Sequence, residues 1–598
     1  MKRFVTLGLL LTVVVMLLPA CAAPPPQVIE KTVIQTVEVE KRVEVEKIVT
    51  QVVEKQVEVE KIVEKQVEVT PTPVVAAASE LISGFPAANE TEAKTAQAAW
   101  DAADKGQPDP AWKGQKFTIG VYSAGQRGPV SGPVYFWRNK FEELTGATYD
   151  IVEIPYAELR EKIYTDFQTG TNKYDVIINC SNWYGDAIAN DWLQPIDKYY
   201  SDPRMPKNDL ASITPAVANL MQWGGTQYGS NNDHDAQILY YRKDIIEDPK
   251  WQAAYKAETG EDMPVAMDTW EDTLKIAQFF NGKDWNGDGD PDDGITLHLK
   301  VGGQGFFHFL ALSAPYVVTP AAGADPKKVT KYNNVYFFDP ETMEPLVCSP
   351  GHVKALETLI AISKAGPSAM WGWELGEAWA DFLSGNAIMT FSWGDVWSLA
   401  QDPSQSVITG KLGARGIPGT KGPYNLETKK FENLDKPNMV GNQVGCSWHP
   451  VLSKFAKNPD LAAYWMFFQG EPHINHWNVA TGWTGVDPGT TYDWLEPVGK
   501  ATVQDYVDGG FNAEDAVAGA NAYQDNFYNY PLFVTYLRIP GTPEMAETMD
   551  VHLSEAITGQ VTAQEALDRT CEDWKRIVDD LGKDELLKLY QDSIGYTP

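Results

Sequence analysis

The chain is poor in positive charge. Lysine and arginine total 49 against 81 aspartates and glutamates in 598 residues, a formal net charge of −32. Phosphate backbones recruit basic surfaces, so this balance argues against nucleic acid as a partner and against an exposed site for anionic substrates. Cysteine is scarce, with 5 residues and no C-x-x-C, which removes redox and cysteine-type zinc motifs. Three catalytic signatures are missing: G-x-S-x-G, H-E-x-x-H and the phosphate-cradling G-x-x-x-x-G-K-[ST]. Beyond the N-terminal run, no stretch reaches eighteen uninterrupted apolar residues, so nothing further along is expected to span a membrane. What is abundant is aromatic: 20 Trp and 26 Tyr in a chain that is 43% hydrophobic, as globular proteins are. Rings with an apolar face and a polar tip suit a surface that stacks on something, although most belong in a core.

Residues 1–21 read as an export signal. Lys2 and Arg3 precede an apolar run from Phe4 to Leu18. Leu18-Pro19-Ala20-Cys21 resembles a bacterial lipobox, which implies that Cys21 is lipidated and becomes the mature N-terminus. Residues 22–80 form a stalk and linker. Val43-Glu-Val-Glu-Lys-Ile-Val49 recurs as Val57–Val63, a period of fourteen that fits two heptads, while its Val-Glu alternation fits a strand equally well. A helix over 27–69 would reach about 65 Å at 1.5 Å per residue. Length alone gives a prior of about four domains, but 81–598 carries no second linker and reads as one large unit.

Within that unit, Lys116–Tyr122 reads as a strand, and Val134, Trp137, Phe141 and Leu144 line one helix that Gly146 stops. A second strand over Thr148–Ile154 is followed by a helix through Leu159, Ile163 and Phe167, then by the apolar run Tyr174–Cys180. This β-α-β-α-β order predicts a parallel sheet with ligand contacts at the carboxyl ends of its strands, placing loops 123–132 and 181–186 at a cleft. Thr269, Val353 and Thr562 mark further helices; Ala387–Ser392 and Gln443–Trp448 read as strands. With Cys21 set aside, Cys180, Cys348, Cys446 and Cys571 allow three pairings, and Cys571 also suits a buried free thiol beside Leu567, Trp574 and Val578.

An ordered string of segments then resembles the bacterial extracellular solute-binding proteins of family 1, the maltose-binding-like receptors of carbohydrate ABC transporters. It runs through Lys173-Tyr-Asp-Val-Ile177, Gly225-Thr-Gln-Tyr-Gly229, Ile238-Leu-Tyr-Tyr-Arg-Lys-Asp244 and Phe382-Leu-Ser-Gly-Asn-Ala-Ile-Met389. Arg415-Gly-Ile-Pro-Gly419, Ser453-Lys454 before Pro459-Asp-Leu-Ala-Ala463, and Arg538-Ile-Pro-Gly541 continue it. The resemblance implies an α/β, type II-like periplasmic-binding-protein fold: two lobes, each a mainly parallel sheet flanked by helices, with a hinge crossed more than once. Lobe one would be about 115–235 and 393–440, and lobe two about 236–392 and 441–598. It also implies a monomeric, lipid-anchored receptor on the outer face of the membrane that hands a neutral carbohydrate to a permease, with no organic cofactor. Ligand contacts would come from Trp183, Asp186, Asp233, Asp235, Trp393, Asp395 and Trp397, with Phe306 and Tyr530 as stacking rings of the second lobe. Sugar C–H faces stack on rings while hydroxyls donate to carboxylates. A secreted carbohydrate-active enzyme is disfavoured by the missing motifs, and an adhesion role is suggested only by the stalk.

Two motifs stand apart from the cleft. His473 and His476 are three apart and read as a surface or capping pair. Asp284, Asn286, Asp288, Asp290, Asp292 and Asp293 follow the start of an EF-hand-like calcium loop with Gly289 at its sixth position. Ile295 stands where the bidentate Glu belongs, so the closing ligand must be Asp292, Asp293 or a distant acid.

Overall fold

The computed structural model describes residues 81–596, apart from 321, 322, 324, 326 and 327. The export signal, Cys21 and all of the stalk and linker lie outside the described residues. Strands β1 (Lys116–Tyr122), β2 (Thr148–Ile154) and β3 (Val176–Cys180) form as the apolar pattern predicts, with β1 central and parallel to both. Every residue of β3 is buried, consistent with an apolar strand covered on both faces. The helix Tyr156–Thr169 returns the chain from β2 and ends at Gly170, whose φ of 60° gives the left-handed cap that glycine takes without strain. The expected single helix through Val134 and Leu144 is instead two, Ser131–Phe136 and Arg138–Thr145. Trp137 breaks it, its indole drawn into the core to donate to Asn478 at 2.9 Å.

A fourth strand, Trp448–Leu452, runs antiparallel to β3 and completes this sheet. The second sheet is entirely antiparallel, with β4 (Ile238–Arg242) between β5 (Met389–Ser392) and β6 (Leu412–Gly416). Strand pairing therefore redraws the expected lobes. β6 lies within 393–440 yet joins the second sheet, and Trp448–Leu452 lies within 441–598 yet joins the first. The helices Pro459–Gln469 and Pro472–Thr481 follow it there, with Trp465 on Tyr149 and Trp477 stacked at 4.3 Å on Phe136. The chain thus passes from the first sheet to the second after residue 229 and back before 448.

The reading of Gln443–Trp448 as one strand is corrected. Val440–Gln443 is a strand parallel to Leu532–Thr535, Val444–Ser447 is irregular, and a new strand begins at Trp448. The break occurs where the chain passes Asp235 and Trp393: a Cβ on Gly445 would lie 2.4 Å from the Asp235 Cβ and 2.6 Å from the Trp393 Nε1. Cys180 is bonded to Cys446, and Cys348 to Cys571, so Cys571 is not a free thiol. The first bond joins the end of β3 to the returning crossing. Helix caps at Thr269 and Thr562 form as read.

Candidate functional site

Both crossings between the sheets are polar and buried, and they meet. Asp235, three residues before β4, accepts from the backbone N–H of Ser447 at 2.6 Å and from that of Cys446. Asp233 accepts from the N–H groups of Asp487 at 2.7 Å and Trp448 at 3.2 Å. Asp487 accepts from Gly394 N–H at 3.1 Å and from the Tyr523 hydroxyl at 2.5 Å. Carboxylate oxygens of Asp233, Asp235 and Asp487 lie within 4.8 Å of one another. Asp395, just after β5, is the fourth acid: its charge acts on Asp235, Asp487 and Tyr122.

Burial opposes ionisation of all four. It raises Asp235 to about 7, with Asp395 adding to the rise, and raises Asp395 to about 6. Asp233 and Asp487 are pushed well above the carboxylate range by burial and then by their acidic neighbours. No lysine or arginine is prominent among the charges acting on them.

Rings stand at the carboxyl ends of the first sheet, where the parallel topology places a ligand. Tyr122 at the end of β1 stacks on Trp448 at 5.9 Å, and Trp183 meets Trp448 edge-on at 6.3 Å. Tyr156, opening the helix after β2, lies 6.2 Å from Trp448 and 6.4 Å from Trp183, and Asp235 acts electrostatically on it. From the other side, Trp393 stacks on His298 at 5.3 Å and donates its indole N–H to the Val444 carbonyl at 2.7 Å. Tyr536 contacts Phe307 and Phe306, and its hydroxyl reaches Asn182 beside Trp183. One compact region thus combines four carboxylic acids, aromatic faces and backbone donors.

Of the nine residues expected at the cleft, Trp183, Asp233, Asp235, Trp393 and Asp395 converge here, and Phe306 borders the group through Phe307 and Tyr536. Three do not. Asp186 accepts from Tyr164 at 3.0 Å and from the Gly541 backbone, which ties it to the turn after Arg538. Trp397 is core: its indole donates to the Asp515 carbonyl at 2.8 Å, between Tyr506 and Phe511. Tyr530 lies against Gly416 of β6, its hydroxyl toward the Ile417 carbonyl. Tyr122, Tyr156, Trp448, Asp487 and Tyr536 were missed. The first two end β1 and follow β2, so the strand-end rule applied to those positions finds them; Asp487 sits in a loop with no motif.

Glu471 caps the helix Pro472–Thr481 by accepting from the His473 N–H at 2.8 Å, and the His473 and His476 rings face Glu471 and Asp493 at 3.1 and 3.0 Å. In the Asp284 loop, Asp284, Asn286 and Asp288 each accept a backbone N–H from within the loop, at 2.7–2.9 Å. Asp292 accepts from Trp285 and Asn286. Burial, then the charges of Asp381 and Asp292, raises Asp293 to about 7. These turns array the first three side chains as a calcium loop does, with a second oxygen of Asp284 still available. The second oxygen of Asp288 accepts from the Asn286 amide at 3.2 Å, so both of its oxygens are engaged within the loop. The donor types fit calcium; the Asn286 amide is turned to donate to Asp292 at 2.6 Å.

A two-lobed receptor fold with a polar, aromatic junction between its sheets defines a class of binding protein. The family model for bacterial extracellular solute-binding proteins matches residues 137–491, more than half of the chain, and the chain belongs to that family. Two proteins described as binding proteins, from Brucella abortus (strain 2308) and Brucella suis biovar 1 (strain 1330), are each 29% identical over 133 residues, 22% of this chain. The chain matches only 30% of the length of these relatives. An ABC transporter solute-binding protein from Agrobacterium radiobacter K84, in complex with ribitol, shares the fold with a TM-score of 0.58 at 18% identity, over 79% of this chain and 100% of that one. One from Agrobacterium vitis S4 with D-mannitol gives 0.53 at 20%, over 78% and 99%. Maltose-bound T. maritima MalE3 gives 0.55 at 17%, over 77% and 99%. Among the described residues no helix is long and apolar enough to cross a membrane.

Proposed function

We propose that the protein is a lipid-anchored receptor that binds a sugar or polyol between its lobes and delivers it to the permease of an ABC importer. The observation that carries the reading is the meeting of Asp235 and Trp393 across the Val444–Ser447 crossing, because it puts a carboxyl acceptor and an aromatic side chain together where the lobes join. Binding without turnover fits the family and the absence of catalytic signatures. The ribitol, mannitol and maltose complexes of its structural neighbours point to the same ligand chemistry. Anchoring rests on Cys21, because diacylglycerol attaches only to its thiol. The Asp284 loop would hold calcium as a structural ion away from this site.

A ligand that binds only the native state raises its melting temperature, so a thermal-shift screen of sugars and polyols tests the binding reading. A concentration-dependent rise with at least one compound is expected; no shift with any would contradict it. Release of Cys21→Ser into the medium tests the anchor, and retention on membranes in high salt would remove it.

A further inference from the structure

Two buried histidines beside Trp393 form a chain of hydrogen bonds that starts at the first crossing between the sheets. Gln237, two residues after Asp235, donates its N–H to the Asn442 side chain at 2.9 Å and accepts back from it at 3.0 Å. The Gln237 side-chain oxygen faces His308 Nδ1 at 3.2 Å, and His308 Nε2 faces His298 Nδ1 at 3.0 Å. Burial holds both rings neutral, so each carries one proton. With the His308 proton on Nδ1, where the Gln237 oxygen accepts it, His308 Nε2 accepts from His298 Nδ1. His298 Nε2 then ends the chain as a bare acceptor.

That nitrogen is buried and has no partner. Its ring lies against Trp393 at 5.3 Å, with 29° between the two planes. Gln443 stands one residue before Val444, whose carbonyl holds the Trp393 indole at 2.7 Å. Its side chain is fully buried, and among the described residues it is the one amide whose oxygen and nitrogen are both buried and unbonded. The Ser447 hydroxyl, on the residue whose N–H holds Asp235, is a third such group. Folded proteins as a rule pair their buried polar groups, because each one left unmade costs stability. Here three are left on residues that border the contact of Asp235 with Trp393. A sugar or polyol hydroxyl both donates and accepts, so one ligand can satisfy a bare acceptor and an open amide together.

We propose that His298 and Gln443 are specificity-determining contacts of this site: His298 Nε2 accepts from one ligand hydroxyl, and the Gln443 amide bonds others. This rests on the carbohydrate reading and adds to it two residues that no motif in the sequence marks. A site of this kind discriminates by hydroxyl pattern, since a ligand lacking the matching hydroxyl leaves the buried groups unpaired.

A thermal-shift comparison of D-glucose, D-galactose, D-xylose, D-glucitol and sucrose selects the compound of largest shift, and calorimetry on the full chain follows its binding. In His298→Asn the amide keeps a donor toward His308 and removes Nε2; in His298→Gln the longer amide reaches the place of Nε2. The first is expected to weaken binding at least about tenfold, as a hydrogen bond lost from a buried partner does, and the second to recover part of that loss. Gln443→Leu, similar in shape and without polar atoms, is expected to weaken binding while raising the melting temperature of the ligand-free protein. In wild-type protein carrying isotopically labelled histidine, the Nε2 nitrogen resonance of His298 should move upfield on saturation with the same compound. Circular dichroism confirms that each variant is folded. Wild-type affinity in folded His298→Asn or folded Gln443→Leu overturns the inference and leaves the carbohydrate reading intact. So does an Nε2 resonance that saturation leaves unmoved, a result that needs no variant. If none of the compounds binds the wild-type protein, the carbohydrate reading falls and this inference with it.

Discussion

Ser447 donates its backbone N–H to the Asp235 carboxylate at 2.6 Å, joining the outgoing and returning crossings between the two sheets. Gly445 makes that contact possible, since no side chain fits between Asp235 and the Trp393 indole. Gly445→Ala should therefore separate the crossings. Overpacking of this kind costs about 1–3 kcal/mol, and a fall in melting temperature together with weaker ligand binding is expected. Unchanged affinity in calorimetry would show that the crossing does not shape the site.

The acid cluster gives stability a defined pH dependence. Asp235 rises from 3.8 to about 7 and Asp395 from 3.8 to about 6 in the folded state, so folding favours their protonated forms. Their contribution is complete below the unfolded value and is lost as pH climbs through about 6 to 7. Asp395→Asn, which cannot ionise, should raise the melting temperature of the ligand-free protein at pH 7.5 more than at pH 5. Equal shifts at both values would mean that Asp395 ionises freely in the native protein.

How much of this was legible in advance follows from where the signal is local. β1, β2 and their helix could be read because period and glycine stops are properties of the segment itself, and the Thr562 cap because its partner Glu565 is three residues away. Trp397 and Trp393 are four residues apart with similar surroundings in sequence. The Tyr506 and Phe511 rings and the Asp515 carbonyl, all more than a hundred residues on, hold Trp397 in the core. Asp487 was invisible for the same reason: its partners Gly394 and Asp233 are 93 and 254 positions away. The lobes were misdrawn because an antiparallel strand such as Trp448–Leu452 can join either sheet, and its apolar pattern does not say which.

The two disulfides should separate structure from binding. Replacing Cys348 and Cys571 by serine removes a tie to the helix Ala563–Leu581, which supplies none of the acids, and a loss of about 2–4 kcal/mol of stability with unchanged affinity is expected. The same change at Cys180 and Cys446 frees the residue beside Ser447, so affinity should fall as well. Equal effects of both pairs on affinity would refute the distinction.

The Asp284 loop should make thermal stability calcium-dependent. Clustered carboxylates repel unless a hard cation neutralises them, and a chelator is expected to lower the melting temperature. Asp288→Ala should abolish that dependence without altering ligand affinity. An unchanged melting curve in excess chelator would count against the site.

Titration of the wild-type protein and of Asp235→Asn with the saccharide or polyol that gives the largest thermal shift tests the central claim. The account predicts reversible one-to-one binding, recovery of the compound unmodified, and at least about a tenfold weakening in the folded variant, since roughly 1.4 kcal/mol is a decade and a charged acceptor contributes about 1.5–3 kcal/mol. Wild-type affinity in folded Asp235→Asn, or conversion of the compound during incubation, would contradict it.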